Sequence, residues 1–328
     1  MNMTVTAWET NLTTTYGSLQ AVHQHYTEFI ILQILTVIVA LVGLAGNAVV
    51  IWLLGFRMRR NAFTVYILNL AGADFLFLCY RFTRSLVLLF DFGFVIGIIS
   101  RFLLPVSIFA YISGLSFLSA ISTERCMSVL WPIWYRCHRP THMSSIMCAL
   151  LWALSLLMSM LEGNYCGSQS SNVCLVWCQV LDFITVAWLI LLFVLLSGSS
   201  LALMTRLLCG SQRVLPTRLY MTIMITVLVF LLCGLPFGFH WFLIIWYPNE
   251  YLALFHLSLT VVFLSCVNSC ANPIIYFFVG SFRQQWWKQR HTMRLVLQRA
   301  LQDTPEVDES GEILPGETLE MSGNSLGQ

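Results

Sequence analysis

Two long apolar stretches of this chain contain no lysine or arginine, and they constrain the fold more than any other feature. Residues 143–205 and 219–282 contain no lysine or arginine, whereas arginines lie shortly before and directly after each stretch. Because basic residues of membrane proteins collect on the cytoplasmic side, each stretch is predicted to cross a membrane outward and back as two helices. Only 10% of the residues are charged, against about 25% in soluble domains, which agrees with a membrane protein.

Three further apolar runs precede residue 143, so the count of spans reaches seven. A helix needs about 20 residues to cross the roughly 30 Å hydrocarbon core of a bilayer. The predicted helices cover about residues 29–55, 62–89, 97–131, 144–161, 183–208, 219–246 and 252–279. We therefore predict an all-α fold, a seven-transmembrane helix bundle in a domain of residues 29–279.

The two ends of the chain are predicted to lie on opposite sides of the plasma membrane. No lysine or arginine precedes Arg57, so residues 1–28 are predicted to be an extracellular tail. This tail contains glycosylation sequons at Asn2 and Asn11. Residues 280–298 mix aromatic and basic residues, which favours an amphipathic helix against the membrane lipids. The acidic segment 299–328 is predicted to be a disordered cytoplasmic tail whose serines and threonines could be phosphorylated.

Polar and proline residues within the spans are candidates for functional positions. Asp74 falls near the middle of the second span, where a carboxylate cannot face lipid. We expect it to meet Asn47, Asn268 or Asn272 in a hydrated interior. Pro236 and Pro273 interrupt the sixth and seventh spans, and a proline in a helix interior produces a kink that can serve as a hinge.

Glu124 and Arg125 form an adjacent pair of opposite charges at the far end of the third span. The simpler interpretation is that Arg125 extends to the lipid headgroups beside a solvated Glu124. The functional interpretation is that the pair holds the inner end of helix three against helix six.

Two carboxylates are predicted to stand near each other at the extracellular mouth of the bundle. Glu162 ends the fourth predicted helix and Asp182 begins the fifth, and no basic residue in 143–205 can neutralise them. Trp241 and Trp246 on the sixth helix would supply aromatic walls, against which cations can also bind. The site would then take a cationic ligand, and the alternative is a pair of solvated acids at the membrane interface.

Arg81 and Arg84 lie one turn apart near the extracellular end of the second span. They could extend to headgroups, or form a basic rim on a ligand vestibule that accepts a ligand carboxylate. Between the fourth and fifth spans lie Cys166, Cys174 and Cys178, facing an oxidising exterior. One pair can form a disulfide and leave one thiol free, whereas zinc is disfavoured because this loop has no histidine.

Six motifs follow one another along the chain, one to a helix: Gly46-Asn47, Asp74, Glu124-Arg125-Cys126, Trp152, Pro236 and Asn272-Pro273-Ile274-Ile275-Tyr276. Taken together, they resemble the class A (rhodopsin-like) G-protein-coupled receptors. More narrowly, five segments are similar to the Mas-related receptors: residues 52–63, 122–126, 130–137, 214–220 and 277–283.

The resemblance implies a receptor that activates a heterotrimeric G protein of the Gq family or Gi, and binds arrestin through a phosphorylated tail. It implies that basic peptides or amphipathic amines bind at Glu162 and Asp182, and that a Cys166–Cys178 bridge replaces the usual class disulfide. In activation, Arg125 would turn toward Tyr276 and the G protein. The residues implied in coupling are Glu124, Arg125, Asp74, Asn272, Pro273, Tyr276 and Pro236.

The chain also departs from the class pattern. Gly234 stands where most class members carry a tryptophan, so the activation trigger is expected to differ. Sodium binding at Asp74 is left open, because Gly114 offers no hydroxyl where the class commonly has one. We expect no other cofactor and no metal site.

The sequence also speaks against other functional classes. It lacks the nucleophile, phosphate-loop and zinc-protease motifs of enzymes. The alternative functions for a multi-span membrane protein are those of a transporter or a channel. The sequence shows neither the internal repeats and paired broken helices of a transporter nor the pore segment of a channel. A net charge of +2 gives no argument for nucleic acid as a partner.

Overall fold

The computed structural model describes the backbone of residues 5–57, 62–90, 93–140, 142–166, 172–209, 224–246 and 251–281, and most side chains between 26 and 275 within these ranges. Its helices are α1 (Val5–Trp52), α2 (Ala62–Leu89), α3 (Gly93–Leu130), α4 (Pro132–His138), α5 (Met143–Cys166), α6 (Asn172–Cys209), α7 (Leu235–Trp246) and α8 (Tyr251–Ser281). A π-helical turn, Phe230–Gly234, directly precedes α7. We call residues 224–246, which comprise a helical segment, this turn and α7, helix six.

The predicted all-α bundle is confirmed. Within the described ranges, six helices contain a segment long and apolar enough to cross a membrane, and the shorter apolar helix Met224–His240 supplies the seventh span. The spans follow one another in the predicted order. Large apolar side chains such as Leu150, Leu157 and Val194 are exposed on the outside of the bundle, where the lipid of a membrane would cover them.

Several helices extend beyond their predicted ends. α1 begins at Val5, although its apolar span begins only at Tyr26. α5 continues to Cys166 and α6 already begins at Asn172, so the predicted ends at 161 and 183 were wrong. Polar residues end a run of hydropathy, but they do not by themselves end a helix, which is why the predictions were short.

α3 is fastened to α6 by serine side chains along one face. The Ser119 hydroxyl donates to the carbonyl of Leu192 at 2.9 Å. One turn further, the Ser122 hydroxyl lies 2.7 Å from that of Ser199 and 3.0 Å from that of Ser200. Small hydroxyl residues let membrane helices approach closely and hydrogen-bond across the contact. This contact fixes α6, which contains no proline, against the centre of the bundle.

Some predicted elements fall outside the described residues. These are the amphipathic helix and the tail after residue 281, and the side chains of both sequon asparagines, Asn2 and Asn11. The side chains of Cys174, Trp241, Trp246 and Tyr276 also lie outside them.

Candidate functional site

Asp74 lies in the middle of the bundle and joins α2 to α8. Its Oδ2 accepts a hydrogen bond from the Asn272 side chain at 2.7 Å, so Asn272 is the partner among the three expected asparagines. The Asn47 amide instead donates to the carbonyls of Gly43 and Ser269, at 2.9 and 3.2 Å. These bonds link α1, α2 and α8 through buried side chains.

Next to this centre, α1 and α8 approach at a glycine and a proline. A Cβ on Gly46 would lie 3.0 Å from Cγ of Pro273, closer than side chains normally pack. A larger residue at position 46 would therefore push α8 away. On the other side, a Cβ on Gly114 would meet Oδ1 of Asp74 at 3.5 Å, so the backbone of α3 passes close to the carboxylate.

Glu124, at the end of α3, is matched by groups from two other elements. Arg139, just after α4, donates to Glu124 Oε1 at 2.6 Å, and the Tyr66 hydroxyl of α2 donates to the same oxygen at 3.3 Å. Burial, followed by the charge of Glu124, raises the pKa of Tyr135 on α4 to about 12. The ion pair of Glu124 therefore goes to the segment after α4 and not to the described part of helix six, which corrects the expectation for Glu124; the expectation for Arg125 stays a prediction.

Arg125 points in a different direction from Glu124. Its guanidinium lies 4.3 Å from the ring centroid of Phe63 on α2, a cation–π contact. Arg125 also lines a cleft between α3, α6 and helix six, together with Ser122 and Thr226. An ion pair of Arg125 with helix six is excluded by the sequence, because residues 183–249 contain no aspartate or glutamate.

At the opposite end of the bundle, a disulfide joins Cys166 to Cys178, with their Cα atoms 5.0 Å apart. Glu162 lies one turn before Cys166 and Asp182 one turn after Cys178, so the bridge brings together the two turns that bear the carboxylates. Glu162 is 3% and Asp182 2% exposed, which contradicts two solvated surface acids.

The Asp182 carboxylate is the less satisfied of the two predicted ligand-site acids. Neither of its oxygens has a hydrogen-bond partner among the residues that the structure describes. A carboxylate oxygen and the two bridge sulfurs lie within 4.8 Å of one another. Since both sulfurs are bonded to each other, neither is a thiolate that could bind zinc.

Arg81 lies inside the bundle rather than on a rim. Only 5% of it is exposed, and its guanidinium lies 5.0, 5.3 and 4.6 Å from the ring centroids of Phe77, Tyr80 and Phe237. The rim position predicted for it was wrong, because Arg81 is two helical turns from Asp74 and shares its inward face. Arg84 lies nearer the helix end and donates to the Tyr80 hydroxyl at 3.1 Å.

Tyr111 on α3 makes polar contacts with helix six that the sequence analysis did not predict. Its hydroxyl donates to the Gly234 carbonyl at 2.7 Å and accepts from the Gly238 amide at 3.0 Å. Both partners belong to helix six and flank Pro236. The sequence carries no direct signal for this contact, because Pro236 removes the helix hydrogen bond to the Leu232 carbonyl and not one to Gly234 or Gly238.

Comparison with known proteins agrees with this architecture. The family described as 7 transmembrane receptor (rhodopsin family) matches residues 46–276. The Mas-related G-protein coupled receptor member X2 of Rhinopithecus bieti is 58% identical over 329 residues, covering 99% of this chain and 100% of the relative. The human member X1 is 58% identical over all of both chains, and the human member X2 is 57% identical over 99% of this chain and 100% of the relative.

The match covers the spans that hold Asp74, Glu124, Arg125, Pro236 and Asn272, and the relatives extend over the whole chain. The protein is thus a multi-pass plasma-membrane receptor that acts through heterotrimeric G proteins and is not an enzyme. The chain belongs to the rhodopsin family of seven-transmembrane receptors and, within it, to the Mas-related G-protein-coupled receptors.

Proposed function

We propose that this receptor binds an extracellular cationic peptide or amphipathic amine at Glu162 and Asp182, and that it activates a G protein of the Gq family, with Gi as a second partner. In this proposal the N-terminus and the Cys166–Cys178 bridge face the outside of the cell. The C-terminal tail faces the cytoplasm, where it binds arrestin after phosphorylation.

One observation carries the ligand class: Asp182 is 2% exposed and has no hydrogen-bond partner among the described residues. A buried carboxylate without a partner is costly, and the cost is removed when a cation binds beside it. Residues 143–205 hold no lysine or arginine that could serve as an internal partner. A ligand cation would supply this partner, which supports the proposal.

The disulfide gives the site its rigidity. It joins the last residue of α5 to α6, so the turns bearing Glu162 and Asp182 cannot separate. A preorganised site loses less conformational freedom on binding, which strengthens the interaction with the ligand. In the proposal, the aromatic side chains of Trp241 and Trp246 contact the apolar part of the ligand.

Arg81 supports a second, anion-binding subsite. It is a buried cation, and within the described part of the chain no carboxylate lies within ion-pair distance of it. A ligand with both a cationic group and a carboxylate could then use the acidic pair and the Arg81–Arg84 segment together. The cationic ligand remains the leading proposal, because aromatic rings already stabilise the Arg81 guanidinium.

The test compares ligand charge with receptor charge. Amphipathic peptides containing arginine, and the same peptides with citrulline in its place, are applied to cells that express Asp182→Asn or Glu162→Gln. Truncating one member of a desolvated charge pair costs about 2–5 kcal/mol, so each variant should weaken the arginine peptides roughly tenfold or more. The citrulline peptides should be weak on the unmodified receptor and change little between variants.

Glu28→Gln is the matched control, because Glu28 is an exposed carboxylate at the start of the first apolar span. Calcium release and surface expression are measured for every variant. Unchanged potency in both Asp182→Asn and Glu162→Gln would overturn the acidic pair as the ligand site and make the Arg81–Arg84 segment the leading candidate.

A further inference from the structure

The Tyr111 hydroxyl bonds to two backbone groups in one turn of helix six. Gly234 and Gly238 are four residues apart, the spacing of a helix hydrogen bond from amide to carbonyl. The Gly238 amide donates to the Tyr111 oxygen at 3.0 Å, and the Tyr111 hydroxyl donates to the Gly234 carbonyl at 2.7 Å. One hydroxyl of α3 thus ties both ends of this turn to α3.

The local sequence of helix six makes room for this contact. Pro236 has no amide hydrogen, and the π-helical turn Phe230–Gly234 ends two residues before it, so the regular pattern is already interrupted. A Cβ on Gly238 would lie 2.9 Å from the Tyr111 oxygen and would also collide with Leu189. A side chain at Gly238 would thus displace the hydroxyl from the two backbone groups.

The Tyr111 ring is held from the side by other aromatic residues. Its centroid lies 4.9 Å from that of Phe237 in an edge-on arrangement and 6.1 Å from that of Phe77. The Arg81 guanidinium lies over Phe237 and Phe77. Two hydrogen bonds and the packing of its ring therefore hold the Tyr111 side chain against helix six.

In the conformation that contains these bonds, the described residues leave little space beside Arg125. The cleft between α3, α6 and helix six, lined by Arg125, Ser122 and Thr226, has a volume of about 20 Å³. That volume holds about one water molecule, whereas a helix of a partner protein is about 10 Å wide. A partner helix does not fit into the cleft as the described residues form it.

We propose that Tyr111 is a positioning residue for signalling: its hydroxyl holds the bend of helix six on α3 in the closed conformation, and activation breaks at least one of its two hydrogen bonds. The bend lies between the ligand end and the Arg125 end, and Gly234 carries no side chain that could do this. The Tyr111 hydroxyl thus holds this bend by hydrogen bonds, where a bulky side chain on helix six would hold it by packing.

Tyr111→Phe tests the proposal by removing one oxygen atom while keeping the ring. Losing a hydrogen bond of up to about 1.4 kcal/mol from the closed state alone shifts the equilibrium toward the open state by up to about tenfold. We expect agonist-independent recruitment of a G protein, measured by a proximity reporter and normalised to surface expression, to rise several-fold. Tyr80→Phe is the matched control, because among the described residues its hydroxyl bonds to Arg84 of its own helix and not to helix six.

A second variant tests the proposal if Tyr111→Phe folds poorly. Gly238→Ala places a methyl group against the hydroxyl, and combining it with Leu189→Ala removes the other collision; Leu189→Ala alone is the control. Higher basal recruitment in the double variant than in Leu189→Ala supports the proposal. If Tyr111→Phe reaches the cell surface with basal recruitment equal to or below that of the unmodified receptor, the proposal is overturned. If Tyr111→Phe does not reach the surface, the double variant decides by the same criterion.

Discussion

The two ends of the helix bundle treat their buried charges differently. At one end, Glu124 accepts hydrogen bonds from Arg139 and Tyr66, so its charge is matched within the chain. At the other end, Asp182 has no hydrogen-bond partner among the described residues, and the Arg81 guanidinium rests on aromatic rings. The Glu124 charge is thus matched within the chain, whereas the unmatched Asp182 carboxylate supports the proposal that a ligand binds at that end.

The largest effect is expected at Arg125, which lines the closed cleft instead of sharing the Glu124 ion pair. Arg125→Ala should abolish agonist-induced calcium release while surface expression stays normal, if the G protein contacts the receptor at this cleft. Arg206→Ala, the same change at an exposed arginine of α6, should leave the response intact. Normal agonist responses from Arg125→Ala would remove Arg125 from the coupling site.

The bridge at the Asp182 end should have the next largest effect. Cys166→Ser and Cys178→Ser should each reduce folded surface protein, because a disulfide typically contributes about 2–4 kcal/mol to stability. Cys174→Ser is the matched control and should change surface levels little. Peptide mapping of the oxidised receptor checks the pairing, and a Cys174 disulfide with either neighbour would contradict it.

At the Glu124 end, a double-mutant cycle measures how well the charge is matched. Arg139→Gln should cost about 1.5–3 kcal/mol, the range for hydrogen bonds to charged groups, measured as thermal unfolding of the purified receptor. Adding Glu124→Gln should cost less than the sum of the single changes, because the two groups act on each other. Glu124→Gln combined with Arg206→Gln should be additive, and additivity of the Glu124–Arg139 pair would show that the contact contributes nothing.

The smallest effect is expected at Asp74, midway between the two ends. Its carboxylate is already hydrogen-bonded by the side chains of Asn272 and Ser269, and one of its oxygens faces Gly114, which has no side chain to bind a cation. Replacing sodium in the buffer by a bulky organic cation should therefore change agonist potency by less than about twofold, or about 0.4 kcal/mol. A tenfold increase in potency that Asp74→Asn removes would establish a sodium site there.

Part of the site could have been predicted from the sequence, because helical periodicity shows which residues share a face. Asp74 and Arg81 are seven residues apart and therefore face the same way, so an inward Asp74 already implied an inward Arg81. The rim interpretation used only the height of Arg81 in the membrane. Likewise the absence of acids from 183–249 already excluded an ion pair between Arg125 and helix six.

The sequence by itself determined the number, order and approximate position of the spans, because hydropathy and the placement of arginine reflect transfer into lipid, which acts on each segment separately. The tertiary structure decided which groups meet. Glu124 pairs with Arg139, and the Tyr111 hydroxyl bonds to helix six at Gly234 and Gly238. Such contacts depend on the rotation and spacing of neighbouring helices to within about an ångström, since hydrogen bonds weaken steeply with distance and angle, and no single segment carries that information.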